Sequence, residues 1–349
     1  MISGGLKLCG KEAPFRGMRR YSLSTLVLLL LLGGLAAWLK IIPLTSPVPF
    51  ALFPETADRA RQGVRDQAAA GYDFIKVYDY LSDETYLAAI DEARKQSIYV
   101  VGHLLDTLSP ETIFNAGLQE AAYVDEFMEA HMIGEASPNK GFSEITFDYK
   151  SIPKVVAAAK TNDVMVVSNM VTDEVIYKIL EDVEGGLAQP EYTVIPQEVI
   201  NTWKAQGRFV NWKGQETWRR DVQMPFLMTL TKALHDAGVP LLIGTDMSVE
   251  GMVPAHIHRD LELLVDAGLT PFQALEAGTK NAGISVAKMG RDGSFGTVVV
   301  GQLGNLILLE KNPLENISNT RKRIGVMAHG KWFTQSELDR LVDEYMSTY

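Results

Sequence analysis

From Pro54 onward, short apolar segments alternate with amphipathic segments, and this alternation constrains the fold more than any other feature of the sequence. The runs DFIKVYDY, SIYVVGHLL, DVMVVSNMV and PLLIGTDMS have the length and β-branched content of buried strands. The segments SDETYLAAIDEARKQ, SIPKVVAAAKTN and MPFLMTLTKALHDAGV place apolar residues at helical spacing. EAAYVDEF is a further strand candidate. Strands that alternate with helices in this way predict parallel β/α units.

Beyond residue 290 the sequence changes character. GSFGTVVVGQLGNLILLEKNP and RIGVMAHGKWF are typical of short strands with glycine turns, and TQSELDRLVDEYMS is a polar helix. Segment 185–220 is rich in Trp and Arg, has little regular pattern, and is a candidate lid or insertion beside a site. Its Arg219 and Arg220 have the residue type that clamps a carboxylate, but we interpret them as surface charges.

The N-terminal segment predicts export. Arg19 and Arg20 precede an apolar run over residues 26–39, a pattern typical of a signal peptide. If residues 23–44 are counted as the hydrophobic stretch, the segment also suits an uncleaved membrane anchor. In either case the positive-inside rule places the body of the chain outside the cytoplasm, as a membrane-anchored, periplasmic or extracellular protein.

Charge and cysteine content exclude several classes of protein. The net charge is −10, which argues against nucleic acid as a partner. The single cysteine, Cys9, rules out a disulfide framework or a thiolate zinc cluster within one chain. Any metal must therefore be held by His, Asp, Glu or a modified side chain. A homo-oligomer is compatible with the sequence.

Polar residues stand at the ends of three predicted strands. Lys76 lies in FIKVYD, His103 in YVVGHLL and Asp246 in LLIGTDMS. Each has an ordinary interpretation when taken alone: a lysine whose ammonium reaches solvent, a core histidine and a helix cap. In β/α barrels, however, catalytic residues occupy the carboxyl ends of strands. Together the three residues predict a site.

The motifs FIKVYDYLSDETYLAAIDEARKQSIYVVGHL, LHDAGVPLLIGTD, HRDLELLVDAGLTPFQALEAGTKNAG and VVVGQLGNLILLEKNPLENI occur in this order. In this combination the chain resembles the metal-dependent amidohydrolase superfamily, in its imidazolonepropionase-like branch, from about Pro54 to Lys331. The resemblance implies a hydrolase that cleaves carbon–nitrogen bonds in amides, cyclic amides or dipeptide-like substrates by means of a metal-activated water.

The resemblance also implies roles for single residues. Lys76 matches a lysine that reacts with carbon dioxide, and the resulting carbamate bridges two divalent metals, expected to be zinc. His103 matches a histidine ligand. Asp246 matches an aspartate that binds metal and takes a proton from the attacking water. His258 matches a position near the substrate.

The chain departs from the family pattern at two points. The family has a His-x-His pair on its first barrel strand, but no histidine precedes Lys76 here. His256 and His258 have that spacing, but they lie after the Asp246 strand and match a family helix. Tyr123 stands where the family has a histidine ligand, and tyrosine, with a pKa of about 10, is a poorer ligand for zinc. We interpret His131, eight residues on, as a loop or helix residue.

The predicted fold class is therefore α/β, with an incomplete TIM-type β/α barrel. The predicted regions are a basic leader with signal peptide or membrane anchor (1–45), the barrel portion (50–290), and the strands of a small C-terminal β-sandwich with a terminal helix (291–349). Two alternatives to an active enzyme stay open. One is a catalytically degenerate, membrane-tethered binding or interaction protein; the other is a complete enzyme whose upstream segment is missing from this sequence.

Overall fold

The computed structural model describes residues 2–4, 52, 54–134, 142–207, 212–246 and 251–347. The chain divides into two compact units, residues 1–101 and 102–349. Strands and helices alternate in both, so the predicted α/β class is confirmed. The three predicted domain regions are a different division of the chain and stay a prediction.

Two helices dominate the first unit. Its elements are β1 (Ile2–Gly4), α1 (Ala57–Ala69), β2 (Phe74–Val77), α2 (Asp83–Lys95) and β3 (Tyr99–Gly102). The hydroxyls of Thr56 and Ser82 cap the two helices by accepting a backbone N–H three residues on. β1 pairs with β2 in antiparallel register, with Ser3 opposite Lys76. Small buried residues such as Ala60 and Ala89 let the two helices pack closely.

The second unit contains a parallel sheet. β4 (Glu120–Ala121), β7 (Met165–Val167) and β8 (Leu241–Leu242) lie side by side in that order. Short buried apolar strands of this kind are typical of parallel sheets that helices cover on both faces. The predicted parallel sheet is confirmed. The described strands of this unit form an open sheet rather than a closed barrel.

Helices connect these strands and follow them. They are α3 (Pro110–Ala116), α4 (Ile152–Thr161), α5 (Met170–Glu181), α6 (Val183–Gly186), α7 (Gln197–Gln206), α8 (Glu216–Trp218), α9 (Met224–Asp236), α10 (Ile257–Asp266), α11 (Pro271–Gly278) and α12 (Lys280–Lys288). A π-helical turn, Arg219–Gln223, joins α8 to α9. Segment 185–220, which has little pattern in the sequence, is thus largely helical where it is described.

The strand candidate EAAYVDEF is mostly not a strand. Only Glu120–Ala121 are extended and paired, and Asp125–Phe127 form a 3₁₀ turn. A small antiparallel pair, β5 (Met132–Ile133) with β6 (Thr146–Phe147), follows in the same connection. The early end of β4 matters, because Glu126 in the turn after it reaches His103 and Leu104, just after β3.

The C-terminal segment forms its own antiparallel sheet in the order β11-β10-β9. Its strands are β9 (Leu306–Leu309), β10 (Arg323–Ala328) and β11 (Lys331–Thr334), and α13 (Gln335–Met346) follows. Thr334 and Glu337 form a capping box at the start of α13. Ile307, Leu308 and Trp332 are exposed on this sheet.

The predicted export and membrane anchoring are contradicted. A membrane-spanning helix needs about 20 apolar residues. The longest helices described, α1, α2 and α9, have 13 residues each, and no helix in the described ranges is long and apolar enough to cross a membrane. The apolar run at residues 23–44 lies outside the described residues.

Candidate functional site

Polar side chains of the second unit stand just after the carboxyl ends of strands. His103 comes directly after β3, Tyr123 shortly after β4, and Asp246 shortly after β8. The backbone N–H of Ala122 donates to the carbonyl of Gly102 at 2.9 Å, which holds the chain before His103 beside the chain before Tyr123. This edge is where α/β proteins bind ligands. We name the following residues the strand-end cluster: His103, Tyr123, Asp125, Glu126, Asp173 and Asp246.

Glu126 fixes the orientation of His103. One carboxylate oxygen, Oε1, accepts a short hydrogen bond from Nδ1 of His103, and the other, Oε2, accepts from the backbone N–H of Leu104 at 3.0 Å. Because a carboxylate only accepts, Nδ1 carries the hydrogen and the lone pair of the neutral ring is on Nε2. This is the form in which histidine binds a metal.

Tyr123 packs against the same imidazole. The ring centroids of His103 and Tyr123 lie 5.2 Å apart with an interplanar angle of 74°, an edge-to-face arrangement. The structure therefore places the residue that replaces the family histidine directly beside a predicted ligand. Whether the phenol oxygen of Tyr123 binds a metal stays a prediction.

Carboxylates crowd this edge. Burial, and then the charges of Asp173, Glu126 and Asp246, raise the pKa of Asp125 well above its ordinary value. The raised pKa of Asp125 therefore shows that Asp173, Glu126 and Asp246 lie close enough for their charges to act on it. Several carboxylates close to one another create a negative potential, which favours a bound cation.

Arg219 balances one of these acids. Its Nη1 donates to Asp173 Oδ1 at 2.8 Å, and Gln223 Nε2 donates to the same oxygen at 2.7 Å. Burial raises the pKa of Asp173, and Arg219 and Gln223 only partly oppose that shift. The interpretation of Arg219 as a surface charge is wrong, because its side chain is only 12% exposed. Arg220 does lie at the surface, where it pairs with Asp221 at 2.8 Å.

The backbone is left-handed at two strand ends. Asp246 has φ of 38° and Asn169 has φ of 44°, values that cost energy for a residue with a side chain. Strain of this kind clusters at functional sites and needs support from its surroundings. Nearby, Gly244 lies so close to β7 that an added Cβ would stand 2.7 Å from Val167 Cγ1. Glycine at 244 therefore permits the close approach of the two strand ends.

Lys76 lies in the first unit. It occupies a half-buried position of β2, between the buried Ile75 and Val77. Its Nζ stands 4.8 Å from the centroid of the Tyr78 ring, a cation–π contact. The predicted role of Lys76 as a metal ligand stays a prediction.

The other predicted histidines belong to different surroundings. His258 Nδ1 bonds with Thr320 Oγ1 at 3.0 Å, and His256 Nδ1 accepts from the backbone N–H of Val253 at 3.2 Å. His131 ends a 3₁₀ turn and bonds through Nδ1 with Ser151 Oγ at 2.5 Å, as expected for a residue outside the strand. These contacts are structural in kind. The predicted contact of His258 with substrate stays a prediction.

The sequence interpretation missed Asp125, Glu126 and Asp173. The first two follow β4 in the string YVDEF, so two acids directly after a strand were a local signal. Asp173 had no such signal, since its partner Arg219 is 46 residues away. The tertiary fold alone brings these two together.

The donor types of the strand-end cluster, imidazole nitrogen and carboxylate oxygen, are ones that bind divalent metals. Within the described ranges, however, no three or more His, Cys, Asp or Glu side chains are placed so that they could hold a metal ion together. His103 nevertheless has the carboxylate partner typical of a metal-bound histidine. Asp246 offers a hard oxygen ligand in the same acidic surroundings.

Comparisons with known proteins give a family and a fold. Residues 51–333 match the profile of the amidohydrolase family. No curated protein is significantly similar to the chain.

Among solved structures, similar ones include a bottromycin amidohydrolase (TM-score 0.61, 21% identity, 87% of this chain and 65% of that one). A Xaa-Pro dipeptidase with bound methionine in its active site has a TM-score of 0.56 at 15% identity, covering 83% of this chain and 63% of that one. A putative prolidase from Bifidobacterium longum has a TM-score of 0.55 at 19% identity, with 87% and 68% covered. The chain spans 61–63% of the length of the first three structures it matches.

Proposed function

Because the chain belongs to the amidohydrolase family, we propose that it is a metal-dependent hydrolase of carbon–nitrogen bonds other than ordinary internal peptide bonds. The observation that carries the proposal is the His103–Glu126 pair at the end of β3, in the surroundings that also contain Asp125 and Asp246. A metal-binding histidine usually donates its other ring N–H to a carboxylate, a backbone carbonyl or a water, and Glu126 is such a partner for His103. The imidazolonepropionase-like branch is the subgroup we propose.

Three residues would hold the metal, which we propose to be zinc. His103 would bind through Nε2 and Asp246 through its carboxylate, and Lys76 would bind as a carbamate. Lys76 enters this proposal through its sequence motif alone. A divalent metal at these ligands supplies polarisation of the scissile carbonyl and a more acidic attacking water.

The protein's own residues would carry the proton transfers. Asp246 accepts a proton from the attacking water and delivers it to the departing amine nitrogen. Glu126 keeps the imidazole of His103 in one tautomer and one orientation throughout. Asp246 has a left-handed backbone, a strained conformation of the kind found at functional sites.

The substrate class that we propose is a small amide or dipeptide-like molecule. The similar structures include a Xaa-Pro dipeptidase, a bottromycin amidohydrolase and a putative prolidase, so dipeptides and amides are the first compounds to test. Their low identity to this chain supports a shared fold and does not choose a substrate.

A second candidate function is binding without turnover. Tyr123 stands where the family has a histidine, and it packs edge-on against His103. A chain with this replacement could retain the family fold and bind a small molecule while no longer hydrolysing it.

Metal content of the purified full-length chain distinguishes the two functions. The protein would be expressed with added zinc and bicarbonate and measured by elemental mass spectrometry. We expect one or two tightly held ions in the wild type and a loss of metal in Asp246→Asn. The matched control is Asp236→Asn, which removes an exposed aspartate that bonds Lys232; it should retain the wild-type metal content.

Hydrolysis of a dipeptide and amide panel then tests turnover. We expect Asp246→Asn to be slower than wild type by about 10²- to 10⁴-fold, the usual contribution of a general base. A folded wild-type chain that holds no metal would contradict the enzyme proposal. Metal without turnover of any compound in the panel would favour the binding function.

A further inference from the structure

One aspartate behind the candidate site has no role in the proposed chemistry. Asp260 lies in α10, and its side chain is fully buried. Its carboxylate accepts a short hydrogen bond from Ser168 Oγ, and bonds of 3.3 Å from the backbone N–H groups of Val171 and Gly244. A buried carboxylate held by several donors is a costly feature that usually serves a purpose.

The donors to Asp260 come from separate parts of the sheet edge. Ser168 directly follows β7, Val171 lies in the first turn of α5, and Gly244 follows β8. They are 92, 89 and 16 residues from Asp260 in the sequence. One carboxylate therefore ties the ends of two neighbouring strands to each other and to α10.

Both left-handed residues adjoin these donors. Asn169 directly follows Ser168, and Asp246 lies two residues after Gly244. A strained backbone remains strained only where neighbouring contacts hold it. The hydrogen bonds that Asp260 accepts from Ser168 and Gly244 therefore lie one residue before Asn169 and two residues before Asp246.

Asp260 keeps its ability to accept all of these bonds only as a carboxylate. Burial raises the pKa of Asp260 to about 6, and the hydrogen bonds from Ser168, Gly244, Val171 and Asn169 oppose a larger rise. An ionised carboxylate has about four acceptor positions, whereas the amide of asparagine offers one oxygen and a donor group. Replacing Asp260 by Asn would therefore set an N–H group against other donors.

We propose that Asp260 is a positioning residue, which holds the ends of β7 and β8 together so that the Asp246 carboxylate is aligned to bind the metal. This inference rests on the proposed function, because it takes Asp246 as a ligand. A role in helix packing alone would affect the stability of the fold and leave the affinity of the site for metal unchanged.

Zinc affinity provides the test, measured on the full-length chain by titration against a competing chelator. We expect Asp260→Asn to weaken zinc binding about 10- to 100-fold, the usual cost of losing a residue that orients a ligand. Ser168→Ala removes one donor and spares the carboxylate, so we expect a smaller loss of several-fold. Urea unfolding of each variant measures the accompanying change in stability.

Glu174→Gln is the matched control. Glu174 is also buried and bonded, to Arg259 at 2.8 and 2.9 Å, but it accepts no bond from either strand end. We expect it to lower stability while leaving zinc affinity at the wild-type value. Equal losses of zinc affinity in Glu174→Gln and Asp260→Asn would overturn the proposal, since general destabilisation would then explain both.

Two further outcomes separate this inference from the proposed function. If the wild type binds zinc and both Asp260→Asn and Ser168→Ala bind it equally well, the positioning role is wrong and the enzyme proposal stands. If the wild type binds no zinc, both are wrong. Should Asp260→Asn fail to fold, Ser168→Ala decides: unchanged zinc affinity in that variant overturns the proposal.

Discussion

The second unit buries charged groups in two regions, and it treats them in opposite ways. In the strand-end cluster, burial and the charges of Asp173, Glu126 and Asp246 raise the pKa of Asp125. In a second region, which we name the arginine network, each buried acid is bonded to an arginine. The network consists of Glu174, Glu191, Arg259, Glu262 and Arg321.

The arginine network lowers the pKa values of Glu174 and Glu262. Arg259 binds Glu174 in a bidentate manner and reaches Glu262 at 3.2 Å, and Arg321 bonds Glu262 and Glu191, each at 3.1 Å. Burial alone would raise the pKa of Glu174, but the bonds from Arg259 outweigh it, so that pKa lies below its ordinary value. These charges are neutralised where they lie.

The comparison shows a difference in charge compensation. Every acid of the arginine network bonds an arginine, whereas in the strand-end cluster Arg219 bonds only Asp173 among the described contacts. Paired acids and arginines hold α5, α10 and the 3₁₀ turn Ile317–Arg321 together, a structural task. Acids that repel one another lower the stability of the fold, and strongly shifted pKa values of this kind are typical of functional sites. Of the two regions, the strand-end cluster is the one with such acids.

Removal of Arg219 should have the largest effect, because it takes from Asp173 the arginine that bonds it. Arg219→Leu leaves a buried acid uncompensated, and we expect a loss of about 3–5 kcal/mol in the free energy of unfolding at pH 8. The folded-state pKa of Asp173 is already raised, so the folded variant binds a proton more readily than the unfolded chain. The loss should therefore be smaller at pH 5. Urea unfolding at the two pH values measures it.

Arg259→Leu provides the comparison in the arginine network. Glu174 keeps Lys178 at 3.1 Å after this change, so we expect a smaller loss, with less dependence on pH. Arg220→Ala, at the exposed neighbour of Arg219, should not change stability measurably. If Arg219→Leu has no greater effect than Arg220→Ala, the proposed difference between the two regions is wrong.

The second largest effect concerns His258, near Arg321 of the arginine network, and the stability of the fold in acid. Burial, and then Arg321 and Arg323, lower the pKa of His258 to about 4. The unfolded chain therefore binds a proton near pH 6.5 that the folded chain refuses until about pH 4, so stability is present above pH 6.5 and lost as pH falls. We expect this residue to cost up to about 3 kcal/mol by pH 4.

His258→Gln isolates that contribution, because glutamine does not titrate. The difference in unfolding free energy between wild type and variant should shrink between pH 7.5 and pH 4.5. His256 has its pKa lowered to about 4 as well, but it is present in both proteins and cancels. A difference that is the same at both pH values would show that His258 is not held neutral.

The smallest effect tests how tightly the strand ends meet. Gly244→Ala places a methyl group against Val167, and we expect a loss of about 1–3 kcal/mol in the free energy of unfolding from overpacking. Gly304→Ala is the control, because an added Cβ there meets only Met327 Sδ at 3.5 Å. Thermal unfolding compares the two. Equal stability of both variants would mean that β7 and β8 can separate without cost.

The sequence predicted the parts of the site that local pattern encodes. His103 and Asp246 each follow an apolar run, and the structure places both residues just after strands. Helix caps are local in the same way, since Thr56, Ser82 and Thr334 each cap the helix that directly follows. These features depend on neighbours within a few residues.

The features that the sequence did not predict depend on distant partners. Arg219 looked like a surface charge, because nothing near it shows that Asp173, 46 residues away, lies beside it. The strand EAAYVDEF was overextended, since alternation cannot show that the chain turns at Asp125. The left-handed conformation of Asp246 also had no signal in the neighbouring sequence.

The two hydrogen bonds that Glu126 accepts, from His103 and from Leu104, have a consequence for the entropy of ligand binding. One carboxylate holds the ring nitrogen and the next backbone N–H, so the imidazole cannot rotate without disturbing the main chain. A free side chain loses about 0.5–1.5 kcal/mol of conformational freedom when a ligand immobilises it. For His103 that loss occurs when the chain folds, so any ligand of Nε2 meets a ring whose torsion angles are already set.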